Sequence, residues 1–335
     1  MNIVYTLNDA FVPQVATSMC SILENSSMPK QAHFYLLSEG ISSVNQKKLL
    51  EFVEKYGASI SFIELEKLEN YFEFSFDTNG WSSIVLARLL IDKLLPEEVE
   101  RIIYLDGDTL VLGDLFQLWE EELGGKIIGM SPEPTVDSNR RVDLDLGSHS
   151  YHNAGVMLID LRGWRDNNIG SKILSYYQNK NGQLFANDQD AINGGVKEYI
   201  KTLSIAYNYF NIYDTYPHKT LEKLSSPANF IDKEAYIFAK DNPIVIHYLG
   251  EERPWRRWNT HKYRNEYYFY LEKTPWDYTP MEEGWFIYFQ CFKIFNFVMK
   301  PFPMLRYRII NSLIPAFMKF RKMKLQKKKN EITKK

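Results

Sequence analysis

The sequence predicts an α/β protein with a mostly parallel central sheet. Two observations carry this: strand and helix patterns alternate three times within the first 65 residues, and the apolar runs that read as strands stop at polar, ligand-binding residue types. Alternation of this kind implies right-handed βαβ crossovers, and such sheets collect ligands beyond the carboxyl ends of their strands.

Residues 2–7 (NIVYTL) read as the first strand, Asn8 and Asp9 as the turn after it, and residues 14–25 (QVATSMCSILEN) as a helix with apolar positions at helical spacing. AHFYLLSEG gives a second strand and turn, SSVNQKKLLEFVEKYG an amphipathic helix ending at Gly57, and SISFIEL a third strand. Residues 82–95 (SSIVLARLLIDKLL) read as a strongly apolar helix limited by Pro96, and Arg88 on it needs an anionic partner if that helix is buried. KIIGMS is a further strand, followed by a polar loop through Asp145 with no regular pattern. YHNAGVMLIDL is strand-like, residues 171–177 are helical, NDQDAINGGV caps another helix, and PIVIHYLG is a strand ending at His247 and Gly250.

Between these lies RIIYLDGDTLVL, an apolar strand running into Asp106 and Asp108. A bare Asp-Gly-Asp is most often a turn. Here a buried strand precedes it and an aliphatic run follows, and Gly107 is expected to turn the backbone so that both carboxylates converge. Two converging carboxylates suit a hard divalent cation, Mg²⁺ or Mn²⁺, which keeps positions open for substrate phosphate oxygens.

The 335 residues suffice for one large α/β domain with an appendage, and a hydrophobic fraction of 45% supplies a globular core. The aromatic fraction of 15% points to saccharide or membrane-interface contacts. Cys20 and Cys291 stand far apart, which excludes a disulfide framework and a CxxC zinc site and implies a reducing compartment. The amino terminus lacks the basic and small-residue pattern of a secretory signal, and no run approaches the ~18 apolar residues of a membrane span. A cytoplasmic protein is expected.

Four segments in register, Asp106-Gly107-Asp108, Tyr151-His152-Asn153-Ala154-Gly155, Asn187-Asp188-Gln189-Asp190 and HYLGEERPW from His247 to Trp255, make the chain resemble glycosyltransferase family 8 from Met1 to about Trp258. Members of that family are retaining enzymes of GT-A fold related to bacterial lipopolysaccharide galactosyl- and glucosyltransferases. The resemblance implies a UDP-sugar donor, UDP-glucose or UDP-galactose, and a metal held by Asp106, Asp108 and His247. It implies a uracil and ribose pocket at Thr6, Asn8 and Asp9, with Asn8 standing where many members have Asp; an amide serves a pyrimidine equally, since it both donates and accepts. Arg88 would contact donor sugar or phosphates, and Asn153 would lie against the sugar. Asp188 would bind sugar hydroxyls and Gln189 would lie near the anomeric carbon, with Asp190 a weaker candidate for the same place. Gly250 would let backbone approach the diphosphate, and Arg253 stands where the family normally has Lys, keeping the charge with a wider fork. Trp255, Trp258 and Trp276 are candidates for stacking on an acceptor ring, or for the core.

The net charge of −2 conceals an asymmetry: residues 300–335 hold twelve Lys or Arg against Glu331, a local +11 that leaves −13 on the rest. From Gly284 onward bulky apolar residues interleave with these cations, a pattern of an interfacial anchor on anionic lipid rather than of nucleic-acid binding. Pro301, Pro303 and Pro315 are expected to break this region into short segments. The expectation is a GT-A domain over 1–265 and a membrane-associating region over 266–335, peripheral to the inner face of the cell membrane, where a saccharide or lipid-linked acceptor is reached. Two other readings use the same residues: a nucleotidyl- or phosphotransferase working through the Asp pair, and a catalytically silent membrane-bound saccharide-binding protein. The chain has neither a Gly-rich GxxxxGK loop nor a third Asp beside the pair to support the former.

Overall fold

The computed structural model describes the backbone of residues 1–332 and the side chains through Lys319 together with Met323. Its centre is a seven-stranded sheet made from β1 (Asn2–Leu7), β2 (His33–Ser38), β3 (Ser59–Glu64), β4 (Arg101–Leu105), β6 (Ile128–Pro132), β7 (His152–Asp160) and β8 (Ile200–Thr202), in the spatial order β3-β2-β1-β4-β7-β6-β8. β5 (Thr109–Val111) and β9 (Val245–His247) form a separate antiparallel pair. Of the sheet's neighbours, β7 runs antiparallel to both β4 and β6, and the other pairings are parallel.

Period-2 alternation sends side chains into two cores. On one face Ile3, Tyr5, Leu7, Phe34 and Leu36 pack with α1 (Val12–Asn25) and α2 (Ser43–Glu54). On the other, Val4, Tyr35, Leu37, Tyr104 and Met157 pack with the 83–90 segment and with α3 (Asn187–Gly195). α4 (Arg264–Leu271) lies against α1, and its Tyr267, Tyr270 and Leu271 join the first core. Both faces of the sheet are covered, which is why its strands read as nearly continuous apolar runs.

Several local expectations are corrected. Residues 82–95 do not form one α-helix: Ser83–Leu90 winds as a 3₁₀ helix and only Ile91–Leu94 is α-helical. The polar loop contains a helical turn and a half, Ser138–Asp143, started by Asp137 accepting from the amides of Asn139 and Arg140. Pro315 does not interrupt the carboxyl-terminal region: α5 (Phe286–Met299) and α6 (Pro303–Ile332) are two helices, and α6 runs through Pro315. No helix among the described residues is long and apolar enough to cross a membrane. The lysine-rich end from 321 onward lies outside the described side chains.

The strand directions bring one edge of the sheet to a common line. β1, β4 and β6 end there at Leu7, Leu105 and Pro132, while antiparallel β7 begins there at His152. Asn8, Asp106, Glu133 and Asn153 are therefore neighbours along one rim.

Candidate active site

Asp106 leaves β4 with its amide bonded to the Gly155 carbonyl (2.7 Å). Gly107 has no left-handed backbone, so a sharp turn is not its reason for being glycine. Space is: a Cβ there would stand 2.8 Å from Val15 Cγ2 and 2.9 Å from Phe11, where α1 crosses the strand end. Beyond it, β5 pairs with β9 so that Thr109 faces His247, which sets the histidine one residue along from Asp108.

The result is a cluster of Asp106, Asp108 and His247 whose ligand atoms all lie within 4.8 Å of one another. His247 Nε2 is 3.3 Å from Asp108 Oδ1 and 3.8 Å from Asp106 Oδ2. Its other nitrogen, Nδ1, meets Asn208 Oδ1 at 3.0 Å, an acceptor that keeps a proton on Nδ1 and leaves Nε2 facing the carboxylates, to donate to Asp108 when protonated or to offer its lone pair to a cation. Gly155 makes this possible, because a Cβ on it would fall 2.2 Å from the imidazole Cε1. Burial disfavours the imidazolium, yet the hydrogen bond and charge of Asp108, with Asp106, raise the His247 pKa. Burial likewise works against ionised Asp108, but Arg253 and His247 outweigh it and hold the carboxyl down at about 2. Asp108 therefore stays ionised, and the donor set of two carboxylates and one imidazole fits a divalent cation of the Mn²⁺ or Mg²⁺ kind.

Arg253 bonds Asp108 Oδ2 through Nη2 (3.1 Å), and its buried Nε has no protein partner. An unmet guanidinium donor beside a carboxylate pair is the group a phosphate oxygen satisfies. Next to it Gly250 has φ +80° and nothing within 4 Å of where a Cβ would be, so the backbone there is open to a ligand.

Arg88 is buried and joins the two halves of the site. Nη2 reaches Asp106 Oδ1 (2.6 Å), Nε reaches Asp188 Oδ2 (3.0 Å), and Nη1 donates to the Ala154 carbonyl (2.9 Å), with the guanidinium over the Tyr104 ring. Its sequence-predicted anionic partner is thus two carboxylates, both of which raise its pKa against the cost of burial. Asp188 does not recover its own burial from that shared cation, and with the Asp106 charge adding to it the carboxyl is pushed up to about 6. Thr6 enters through a hydroxyl relay: its Oγ1 bonds Tyr104 OH (2.7 Å), which donates to Asp106 Oδ1 (3.1 Å).

Gln189 is held at both ends. Its Oε1 accepts from the Ala154 amide (3.0 Å), and Nε2 donates to Glu133 Oε2 (2.9 Å) and Tyr151 OH (2.8 Å). Asn153 donates to the same Glu133 oxygen (2.9 Å) and accepts from Asn208 Nδ2 (2.9 Å), so the chain Gln189, Glu133, Asn153, Asn208, His247 is unbroken. A register shift between Met130 and Ser131 of β6 is what aims Asn153 this way.

Not every expected residue joins. Asp190 turns inward, where Arg140 (2.5 Å) and Tyr151 OH (2.8 Å) bond it and its Oδ2 accepts the Ala186 amide. Asp9 spends its Oδ1 on the Ser42 amide (2.9 Å) and Asn45 Nδ2 (2.8 Å), at the start of α2, while Asn8 beside it is exposed. Trp255 and Trp276 are core, the first against Phe11 and Tyr267; Trp258 is exposed beside Phe286. Glu133, Asn208 and Tyr104 were missed. Glu133 follows the carboxyl end of β6 and the strand-end rule would have found it; nothing in the sequence around Asn208 marks it.

With this geometry in place, comparison with known proteins gives a consistent picture. The profile of Glycosyl transferase family 8 matches residues 2–259. The chain is 27% identical over 286 residues to General stress protein A of Bacillus subtilis, covering 83% of this chain and 95% of that one. It is 26% identical over 285 residues to a lipopolysaccharide 1,2-glucosyltransferase of Escherichia coli K12, covering 82% and 79% respectively. The galactosyltransferase LgtC, crystallised with donor and acceptor sugar analogs, matches with a TM-score of 0.68 at 22% identity over 85% of this chain and 99% of that one, which shows the GT-A fold.

Proposed function

The chain belongs to glycosyltransferase family 8, and from that premise we propose that it is a metal-dependent retaining hexosyltransferase moving glucose or galactose from a UDP-sugar to a saccharide or lipid-linked acceptor of a cell-surface glycoconjugate. The observation that carries this is the convergence of Asp106, Asp108 and His247 beside Gly250 and the unmet Nε of Arg253. A divalent cation on those three ligands, Mn²⁺ in preference to Mg²⁺ because of the imidazole, supplies positive charge against the charge that grows on the departing diphosphate.

The chain's own groups do the rest. Gly250 opens the backbone to the diphosphate and Arg253 donates to its oxygens, which lowers the cost of charge development at the leaving group. Thr6 and Asn8 stand at the rim proposed for uracil and ribose, with Asn8 the exposed amide free to pair with the base edge, while Asp9 beside it holds the start of α2. Arg88 orients Asp106 and Asp188 together, Asp188 binds sugar hydroxyls, and Asn153 borders the sugar. Gln189, locked by Glu133, Tyr151 and Ala154, presents a neutral carbonyl with one lone pair left. Such a group stabilises a positive anomeric centre without forming a durable covalent intermediate, which favours departure and attack on one face of the sugar.

Within residues 266–335, the part beyond the core-packed α4 and Trp276 is read as the region that holds the protein on an anionic, cytoplasmic membrane face, on the strength of exposed Ile287, Phe297 and Phe302 beside Lys293 and Lys300. The deciding experiment is hydrolysis of UDP-glucose and UDP-galactose with Mn²⁺, with Mg²⁺ and with chelator, without acceptor. Metal-dependent release of UDP from one of them is expected; absence of binding and turnover with both sinks the reading.

A further inference from the structure

A cavity of about 630 Å³ lies where α5 and α6 meet the body, and of its lining only Gly250 enters the catalytic chemistry above. It is bordered by the loop Gly250, Glu251 and Glu252 on one side and by rings and aliphatic side chains of the two helices, among them Phe292, Phe295, Ile310 and Ile314, on the other. Its volume is that of a ligand site.

Three chemistries meet in it. Arg306 lines the cavity at 9% exposure, and its guanidinium bonds neutral acceptors among the described residues: Nε and Nη2 to Asn296 Oδ1 (3.1 and 2.8 Å), Nη1 to Tyr216 OH (2.8 Å). No carboxylate among the described residues lies within ion-pair distance of it, unlike Arg88, Arg140, Arg253 and Arg256, which all have one. The Glu252 carboxylate in the same lining feels the Arg306 charge without reaching bonding distance, so a buried guanidinium with N–H groups to spare still has room for an anion, and its planar fork suits phosphate. The walls from α5 and α6 are apolar, and just outside them Ile294, Phe297, Val298 and Leu305 are exposed, so the cavity adjoins an apolar surface. Finally, Gly250 to Glu252 connect it to the strand end that carries His247 and Arg253, with Glu252 held by Asn211; carboxylate and amide groups there suit sugar hydroxyls.

We propose that this groove binds the lipid part of the acceptor: a long-chain lipid phosphate carrying the saccharide, its phosphate on Arg306, its hydrocarbon between α5 and α6, and its sugar end toward Gly250. This rests on the transferase reading above and adds the acceptor's chemical class and seat. The match of one cation, one apolar wall and one polar exit to the three parts of a single amphiphile is what selects this occupant over bulk membrane lipid, which has no need of the catalytic rim.

Cys291 lines the groove and is exposed, whereas Cys20 is buried, so alkylation of the full-length protein by a maleimide reads the groove directly. Charge-assisted bonding to Arg306 should make farnesyl phosphate protect Cys291 at about tenfold lower concentration than farnesol. Arg306→Gln should erase that preference and Arg306→Lys should restore part of it. Equal protection by both compounds, or none, overturns the proposal, and this comparison on the wild-type protein stands even if the variants fail to fold. Protection by short-chain phosphatidylglycerol as strong as that by farnesyl phosphate also overturns it, since the groove would then be a bulk-lipid contact. UDP-sugar hydrolysis by the unmodified protein is read separately, so that loss of the transferase reading and loss of the groove are told apart.

Discussion

The rim of the sheet and the α5–α6 pair treat polar and apolar groups in opposite ways. At the rim, Asp106, Asp108, Asp188, Gln189, Asn153 and His247 each have bonded partners, and Arg88, Glu133 and Asn208 tie them into one network. On α5 and α6, Phe297 is 81% and Ile287 75% exposed, with no protein surface over them. Polar groups removed from water must be satisfied by the fold, and so the rim is over-determined. Apolar groups left in water are tolerated only at a modest cost each, and a cluster of them marks a surface made for a non-aqueous neighbour. The same chain therefore builds one region for precision and another for association.

If that contrast is right, the rim breaks under single-atom changes and the helices respond only to changes in polarity. The largest effect is expected from Asp108→Ala, which should lower Mn²⁺-dependent UDP-hexose hydrolysis by about 10²–10³-fold in steady-state assays; retained activity would place the metal elsewhere. Gly155→Ala and Asn208→Ala act through His247, one by displacing its ring and the other by releasing its Nδ1 proton. Each should weaken Mn²⁺ binding by about 10–100-fold in titration calorimetry, with unchanged affinity counting against the histidine as a ligand.

On the other side of the comparison, Ile294→Asp with Phe297→Asp should reduce partition onto anionic vesicles by about tenfold in co-sedimentation while leaving UDP-hexose hydrolysis intact. Partition that does not change would remove α5 from the membrane contact. The smallest effect concerns Asp188, whose pKa of about 6 lies above its ordinary 3.8. The neutral form is thus favoured by folding, a contribution fully present below about pH 3.8 and lost as pH rises through about 6. Asp188→Asn stays neutral throughout, so without metal it should melt about 2 °C or more above wild type at pH 7.5, with the gap closing toward pH 4. A lower melting temperature at pH 7.5 would mean that the pair with Arg88 outweighs burial.

Much of the fold was legible because β1 to β3 and the helices α1 and α2 carry unambiguous periods; Asp106 and Asp108 could be named because they follow an apolar strand, and His247 because the resemblance to family 8 set it with them. The 83–90 segment was misread as α-helix because an apolar run buried on all sides has no face for a period to reveal. Pro315 was given too much weight: a single proline removes one donor and strains one turn, which a long helix absorbs. Asp190 and Gln189 sit side by side in sequence, yet one is a buried anchor for Arg140 and the other faces Glu133, a distinction no local pattern encodes.

By itself the sequence determined the strand ends, and with them that Asp106 and Asp108 follow the carboxyl end of a strand in a parallel-rich sheet, since that follows from short-range pattern and the direction of βαβ crossovers; that His247 joins them came with the resemblance to family 8. Only the tertiary structure decided how they meet: the β5–β9 pairing that sets His247 beside Asp108, the empty Cβ position of Gly155 into which the imidazole fits, the single guanidinium of Arg88 shared by Asp106 and Asp188, and the Arg306 guanidinium set under α5 and α6 on Asn296 and Tyr216. Those are contacts between residues tens to hundreds of positions apart. Their geometry is fixed by side-chain packing and desolvation, which act in space and leave no period along the chain.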